Sequence, residues 1–387
     1  MYKSKTSTTV PPTFEMLAVE MHAAHERIVM RLRDGGYVLQ EYPAFDAPAD
    51  PRGRAAARAH PMQGILKYHG LTDWKWRTAF LPSISVTNDA AYSETLVEFD
   101  PALKVDEAQL NDAPAIGREL QRIQQTLNVV RALGKFTSAA RVRSRNVVKG
   151  GKAGKGLGTS ASGSAALATA ALAAAFGPQI VENTRAVTCV SRLLAGSGCR
   201  SAAGGVALWL SYPGIPHEDS FAIRLDQKGE LRDMRLITIP LDSRIGLKTE
   251  QAHDDAPRSP WFQHWMRTRP ADILRAIDAV QAGDWLTLAQ QAERDSIALH
   301  GVTMTGGVEQ KIFAWEPENI TLFRMCDDLR AEGVPVYFST DTGPTMVLML
   351  HRDHVAVTAA RIRSLSFDCV EGDIAPGAHL IQESQMA

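Results

Sequence analysis

Between Phe14 and Leu32, apolar side chains (Met16, Leu17, Val19, Met21, Ile28, Val29) alternate with charged ones at helical spacing. The pattern predicts an amphipathic helix with one buried face. A stretch rich in Ala, Pro and Arg follows, so residues 1–58 read as an N-terminal extension of helix plus linker. Its helix is expected to dock or dimerise, or to lie passively on the surface. Beyond Ala59 the rhythm tightens. Ser83 to Asn88, Tyr92 to Phe99 and Ala140 to Val148 read as strands, the last with Val142, Ser144 and Asn146 alternating against Arg141, Arg143 and Arg145. A helix at Thr184 to Leu194 and strands at Val206 to Ser211, Phe221 to Asp226 and Met234 to Pro240 come next.

The second half is dominated by helical periodicity. Helices are expected at Asp272 to Ala282, Trp285 to His300 and Pro317 to Glu332, then strands Val336 to Thr340 and Thr345 to Leu350 around an Asp341-Thr342-Gly343-Pro344 turn, then a helix to about Ser364. This ordering predicts an α+β chain in two lobes rather than a strictly alternating βαβ array. The lobes are expected over 59–225 and 226–387.

Composition narrows the class. The chain has 387 residues, 45% hydrophobic and 22% charged, with a formal charge of −1. That excludes a predominantly disordered chain and argues against a protein that coats nucleic acid or an anionic membrane, since that affinity grows with excess cations. Four dispersed cysteines form no C-x-x-C pair, so reduced thiols in a cytoplasm are expected. No targeting segment is visible at the N-terminus. The uncharged run Gly156 to Val181 is built from Gly, Ala, Ser and Thr and reads as a glycine-rich loop feeding a buried helix, not a membrane span.

Four strings carry candidate chemistry. KGGKAGKGLGTSASGSAALATAALAAAF, Lys149 to Phe176, brings glycines directly onto a helix N-terminus, where backbone N–H groups and the helix dipole favour an anion. It is neither G-x-x-x-x-G-K-[ST] nor G-x-G-x-x-G, which disfavours a Walker ATPase and a dinucleotide fold. A tight turn before a buried helix is the plain alternative. AHPMQGILKYHG, Ala59 to Gly70, embeds Lys67 in neutral surroundings. If buried, that lysine needs an anionic partner, a ligand or a depressed pKa; otherwise it snorkels to the surface. AGSGCRSAAGG, Ala195 to Gly205, surrounds Arg200 with small residues. That leaves room for a carboxylate or phosphate in its fork, or for a structural ion pair. STDTGP, Ser339 to Pro344, places Asp341 at a strand end, as a catalytic carboxylate or an Asx-turn. No histidine pair has metal-ligand spacing, and the only metal expected is the magnesium that a nucleotide brings.

Together these strings resemble the GHMP kinase superfamily and, within it, the diphosphomevalonate decarboxylase branch, from about Ala59 onward. GKGLGTSAS is similar to the phosphate loop P-x-x-x-G-L-[GA]-S-S-A, with Lys152 at the usual proline and Thr159 at the first serine. LKYHG is similar to I-K-Y-W-G-K, GSGCRS to G-S-A-C-R-S, and TDTGP to D-A-G-P. The resemblance implies an N-terminal α/β lobe with the phosphate loop and a ferredoxin-like C-terminal lobe. It also implies a catalytic triad of Asp341, Lys67 and Arg200, with ATP bound by Gly156, Leu157, Gly158, Thr159, Ser160, Ala161 and Ser162. Ser160 is the expected Mg2+ hydroxyl, and Tyr68, His69, Ser197 and Arg200 are expected on a small phosphorylated mevalonate substrate. A homodimer is a further expectation.

Where the branch carries its tryptophan and second lysine, this chain has His69 and Leu71, and Ala195 replaces a family serine. With fewer donors for a 5-diphosphate, the resemblance shifts toward archaeal-type phosphomevalonate decarboxylases, so mevalonate 5-phosphate is the expected substrate. Lys75, Arg77 and Thr249 are places to seek its phosphate ligands. The alternatives are decarboxylation of mevalonate 3,5-bisphosphate without ATP, diphosphomevalonate decarboxylation, a mevalonate 3-kinase, or a non-catalytic nucleotide-binding protein.

Overall fold

The computed structural model describes residues 12–48, 51–149, 158–244, 249–307 and 313–386. A six-stranded sheet runs in the order His379–Ile381, Arg54–Ala59, Ala91–Asp100, Ala139–Val148, Glu107–Leu110, Ala113–Pro114. Its ten-residue central strands pair antiparallel along their whole length, from Ala91 opposite Val148 to Asp100 opposite Ala139. Helices Thr159–Phe176 and Arg118–Gly134 cover one face. Alanine at most positions of the first helix lets its backbone approach the sheet closely, and Ala165, Ala166, Ala168, Ala170 and Ala171 are fully buried. Among the described residues this is the one helix long and apolar enough to cross a membrane, and its burial identifies it as a core helix.

A second sheet orders Ala222–Arg224, Val206–Trp209, Ser83–Thr87 and Met62–Leu66. A third, wholly antiparallel, orders Val336–Thr340, Met346–His351, Met234–Ile239 and Val370–Gly372. Period-two alternation divides this third sheet between two cores. Met346, Leu348 and Leu350 meet Leu322, Cys326, Leu329 and Ile362 of the helices Pro317–Ala331 and Val355–Ser364. Val347 and Met349 point the other way, into a core shared with Ile65, Ile84 and Val206 of the second sheet. Helices Phe262–Ala282 and Trp285–Gly306 fill the space between the two sheets. The strand Met62–Leu66 therefore lies where the lobes meet.

Several elements differ from the sequence expectation; the strand Arg54–Ala59, for one, begins inside the expected linker and pairs with Ala91–Asp100. The helix at the N-terminus, Glu15–Asp34, packs along Phe262–Ala282 with Leu17, Met21, Ala24, Ile28 and Leu32 buried. Phe14 stacks its edge on Phe262 and lies 5.2 Å from Phe80, so this segment is built into the body. The helix expected from Asp272 starts at Phe262 and runs through Pro270, because Phe262, Trp265 and Met266 are buried on its inner face. The helix Arg118–Gly134 was not among the expected elements, although Ile123, Leu127 and Val130 bury one stripe of it.

Candidate active site

Lys67 follows the strand Met62–Leu66 directly and is 3% exposed. Its backbone N–H donates to Asp295 Oδ2 at 2.5 Å. Its ammonium donates to Gly64 O at 2.8 Å, Ser339 Oγ at 2.9 Å and Ala292 O at 3.3 Å, so all three protons rest on neutral oxygens. Burial pulls its pKa down to about 8, against the opposing charges of Asp341 and Asp295. Of the two readings left open by the sequence, the buried, pKa-depressed lysine is the one found.

Asp341 stands just past the strand Val336–Thr340, in the turn before Met346–His351. Its Oδ2 accepts from Gly64 N–H at 3.4 Å. Its Oδ1 is buried and accepts no hydrogen bond among the described residues. A Cβ on Gly64 would come within 2.8 Å of both Asp341 Oδ1 and Lys67 Cγ, so the absence of a side chain there lets the acid and the lysine close in on one strand.

Arg200 lies on the short helix Gly198–Ala203 that follows Ser197, and is 2% exposed. One guanidinium nitrogen donates to Ser83 Oγ and another lies 3.3 Å from Met62 Sδ. The fork stands over the Tyr68 ring at 5.2 Å, and Nε is buried without a partner. Among the described residues Arg200 pairs with no carboxylate, which removes the structural ion pair as its explanation and leaves the fork for a ligand.

The three side chains wall a cavity of about 80 Å3 together with Tyr68, His69, Ser197, Thr249 and His253. Burial lowers the His69 pKa to about 4 and the His253 pKa well below the ordinary range, so both rings are neutral near pH 7. His69 sits between Thr342 Oγ1 at 3.3 Å and Thr303 Oγ1 at 3.4 Å, while His253 stacks on Tyr68 at 5.2 Å. Of the three positions singled out for phosphate, Thr249 lines this cavity. Lys75 is exposed with its ammonium over Trp76, and Arg77 donates to Leu193 O and lies 3.7 Å from Glu250. The sequence singled out neither His253 as a wall of the cavity nor Asp295. Among the described residues no cluster of His, Cys, Asp or Glu could hold a metal ion.

Of the expected phosphate loop, Gly156 and Leu157, like Lys152 and Lys155, lie outside the described residues. Gly158 adopts φ +71°, the left-handed region that glycine tolerates, and its carbonyl accepts from Ala161 N–H at 2.9 Å as the helix begins. A Cβ at Gly158 would stand 3.1 Å from Met62 O, so the helix start abuts the strand that delivers Lys67. Ser160 is exposed at this helix start. Ala161 is buried, and the buried Ser162 hydroxyl meets Ser93 Oγ at 2.7 Å. Thr159, Ser160 and Gly163 face a cavity of about 220 Å3 that also touches Arg122 and Asn146. A helix N-terminus with close backbone approach, an exposed hydroxyl and a cation beside a cavity fits a nucleotide polyphosphate.

Residues 59–222 match the diphosphomevalonate decarboxylase-like N-terminal domain. The phosphomevalonate decarboxylase of Haloferax volcanii is 34% identical over 323 residues, covering 83% of this chain and 94% of the relative. The mevalonate 3,5-bisphosphate decarboxylase of Thermoplasma acidophilum is 25% identical over 85% of this chain and 78% of its own length. A structure on the mevalonate diphosphate-mediated ATP binding mechanism of the mevalonate diphosphate decarboxylase from Enterococcus faecalis superposes with a TM-score of 0.76 at 26% identity, covering 85% of this chain and 99% of that one. Residues 59–222 contain Lys67 and Arg200, and the likeness to the Enterococcus structure, at 85% of this chain, extends well beyond that segment. The chain belongs to the diphosphomevalonate decarboxylase-like family.

Proposed function

We propose that the protein decarboxylates (R)-mevalonate 5-phosphate with ATP, yielding isopentenyl phosphate, CO2, ADP and phosphate in the mevalonate pathway. The observation that carries this reading is Asp341 Oδ1, a buried carboxylate oxygen without a partner, in one cavity with the Lys67 ammonium and the Arg200 fork. Arg200 holds the C1 carboxylate by two-point contact and fixes the substrate's orientation. Asp341 accepts the hydrogen of the tertiary 3-hydroxyl and turns its oxygen toward the nucleotide side of the site. ATP is the co-substrate that makes this oxygen a leaving group; Thr159, Ser160 and the N–H groups of the helix start would hold its phosphates, Ser160 with Mg2+, and their position beside a cavity supports that reading.

When the C3–O bond breaks, phosphate leaves with the bonding pair. The C1–C2 pair becomes the C2=C3 double bond, and C1 departs as CO2. Lys67 supplies positive charge while negative charge moves onto the departing oxygen, and its anchorage on three protein oxygens holds that charge in place. Preference for one 5-phosphate over a diphosphate is supported by neutral His69 and apolar Leu71 at positions where the branch carries tryptophan and lysine.

The test offers the purified protein mevalonate, its 5-phosphate, its 5-diphosphate and its 3,5-bisphosphate, each with and without ATP-Mg, and follows ADP and CO2. Stoichiometric ADP and CO2 from the 5-phosphate is the expected result. CO2 from the bisphosphate without ATP, and none from the monophosphate, would overturn it.

A further inference from the structure

Bonded to the Lys67 main chain, but not among the residues that wall the cavity, lies a buried charge pair that the proposed reaction does not use. Arg269 on the helix Phe262–Ala282 is fully buried and donates to Asp295 Oδ1 at 2.9 Å and Oδ2 at 3.2 Å. Trp265 Nε1–H donates to Oδ1 at 2.8 Å, and the Lys67 backbone N–H to Oδ2. One carboxylate therefore gathers an arginine, an indole and the main chain of the triad lysine. Arg269 keeps Nε and another guanidinium nitrogen buried without partners, so Asp295 is the single hydrogen-bonded counter-charge it has among the described residues.

The helix Trp285–Gly306 binds Lys67 twice. Asp295 takes the lysine's amide, and Ala292, one turn earlier, offers its carbonyl to the ammonium. Ser296 continues the same face by accepting from Thr340 N–H, one residue before Asp341. An arginine in a site otherwise able to pack hydrocarbon is costly and persists only when its charge has a use or a partner. Here the use is local. Asp295 and Asp341 are the carboxylates acting on Lys67, and Arg269 and Arg200 the opposing cations, with neighbouring His300 held neutral by burial.

We propose that Asp295 is a positioning residue for Lys67, fixing the lysine's main chain through its amide and, with Arg269 set against it, determining how much net charge the buried ammonium feels. A purely architectural pair would anchor the helices without tuning the lysine. A charge-setting pair makes the lysine's protonation respond with opposite sign to loss of each member.

The test reads the lysine directly. In protein labelled with 13C at lysine Cε, the Lys67 signal is assigned by its absence in Lys67→Met, and its shift is followed with pH in Asp295→Asn, Arg269→Gln and the double variant. The midpoint is expected to fall by about one pH unit in Asp295→Asn, to rise in Arg269→Gln, and to lie between the two in the double variant. If Asp295→Asn does not fold, the rise in Arg269→Gln alone decides. No movement in Arg269→Gln, or movement of both singles in the same direction, overturns the proposal. The titration needs no turnover, so its outcome is independent of which mevalonate phosphate the enzyme consumes.

Discussion

Gly64→Ala is the smallest change that separates the proposed triad's geometry from its chemistry, because it adds one methyl group and removes no functional group. The new Cβ would lie 2.8 Å from Asp341 Oδ1 and 2.8 Å from Lys67 Cγ. Relaxed contacts to carbon lie near 3.5–4.0 Å, so each of the two neighbours must separate from the new Cβ by roughly 0.7 Å. Neither yields easily. Lys67 is tied at its amide and by its ammonium to three acceptors, and the Asp341 turn is bracketed by two paired strands. Gly64 is not in the left-handed region, so alanine brings no backbone strain and the contact is the whole perturbation. Overpacking of this kind costs about 1–3 kcal/mol, and displacement of a reacting group on the order of an ångström costs roughly 100-fold in rate. The expected result is a kcat for CO2 release about two orders of magnitude down, with KM for ATP little changed and the melting temperature lowered modestly. A variant with kcat within about twofold of wild type would refute the claim that this strand holds the acid and lysine in working register.

Asp341→Asn preserves the shape of the site and should keep nucleotide affinity while losing turnover by several orders of magnitude; wild-type-like turnover would remove Asp341 from its role. The pH dependence follows from Lys67. Its cation is present below about pH 8 and lost above it, so kcat should fall as pH rises through about 8, whereas a flat profile to pH 10 would exclude the lysine's charge from the reaction. Stability moves the other way. The folded pKa is below the ordinary value of 10.5, so the unfolded chain binds more protons between about 8 and 10.5 and this group's contribution to folding improves across that window, readable as denaturation midpoints against pH. Phe14→Ala removes a buried ring from contact with Phe80 and Phe262 and should cost about 3 kcal/mol. An unchanged melting temperature would show that the N-terminal helix is dispensable to the body.

What could be read from the sequence was whatever needs unusual residues close together. Glycines before an alanine helix, a lone lysine in LKYHG, an arginine among Gly, Ser and Ala, and an acid in TDTGP each leave a local signature. The structure brings Lys67, Arg200 and Asp341, from three distant segments, to one cavity. The limits of the predicted strands were close because turn residues bound them, even though Ser83–Thr87, Val206–Trp209 and most of Met346–His351 are buried on both faces. Asp295 was illegible because its string, ERDSIALH, is an ordinary amphipathic helix; only the folded chain brings Arg269, Trp265 and the Lys67 amide onto that carboxylate. Pro270 misled in the opposite direction. A proline normally ends a helix, but three buried aromatic and sulfur side chains upstream of it keep the helix intact on both sides. The N-terminal helix has the same explanation: its apolar stripe was visible, whereas the helix Phe262–Ala282 that covers it lies about 240 positions away in sequence.

The way Lys67 is held has a consequence for how the site divides its labour. A lysine whose protons bonded the substrate directly would bind substrate and departing phosphate alike, and binding both equally does not accelerate the chemical step. With its protons on Gly64, Ser339 and Ala292, the ammonium acts as a fixed charge whose effect grows only as negative charge builds on the leaving oxygen. In the proposed reaction direct recognition then falls to Arg200, whose Nε has no partner among the described residues, and to Asp341, whose Oδ1 has none there either. The two side chains proposed to meet the substrate thus carry open hydrogen-bonding atoms, while the ammonium proposed to stabilise charge without trapping product is already bonded to three protein oxygens.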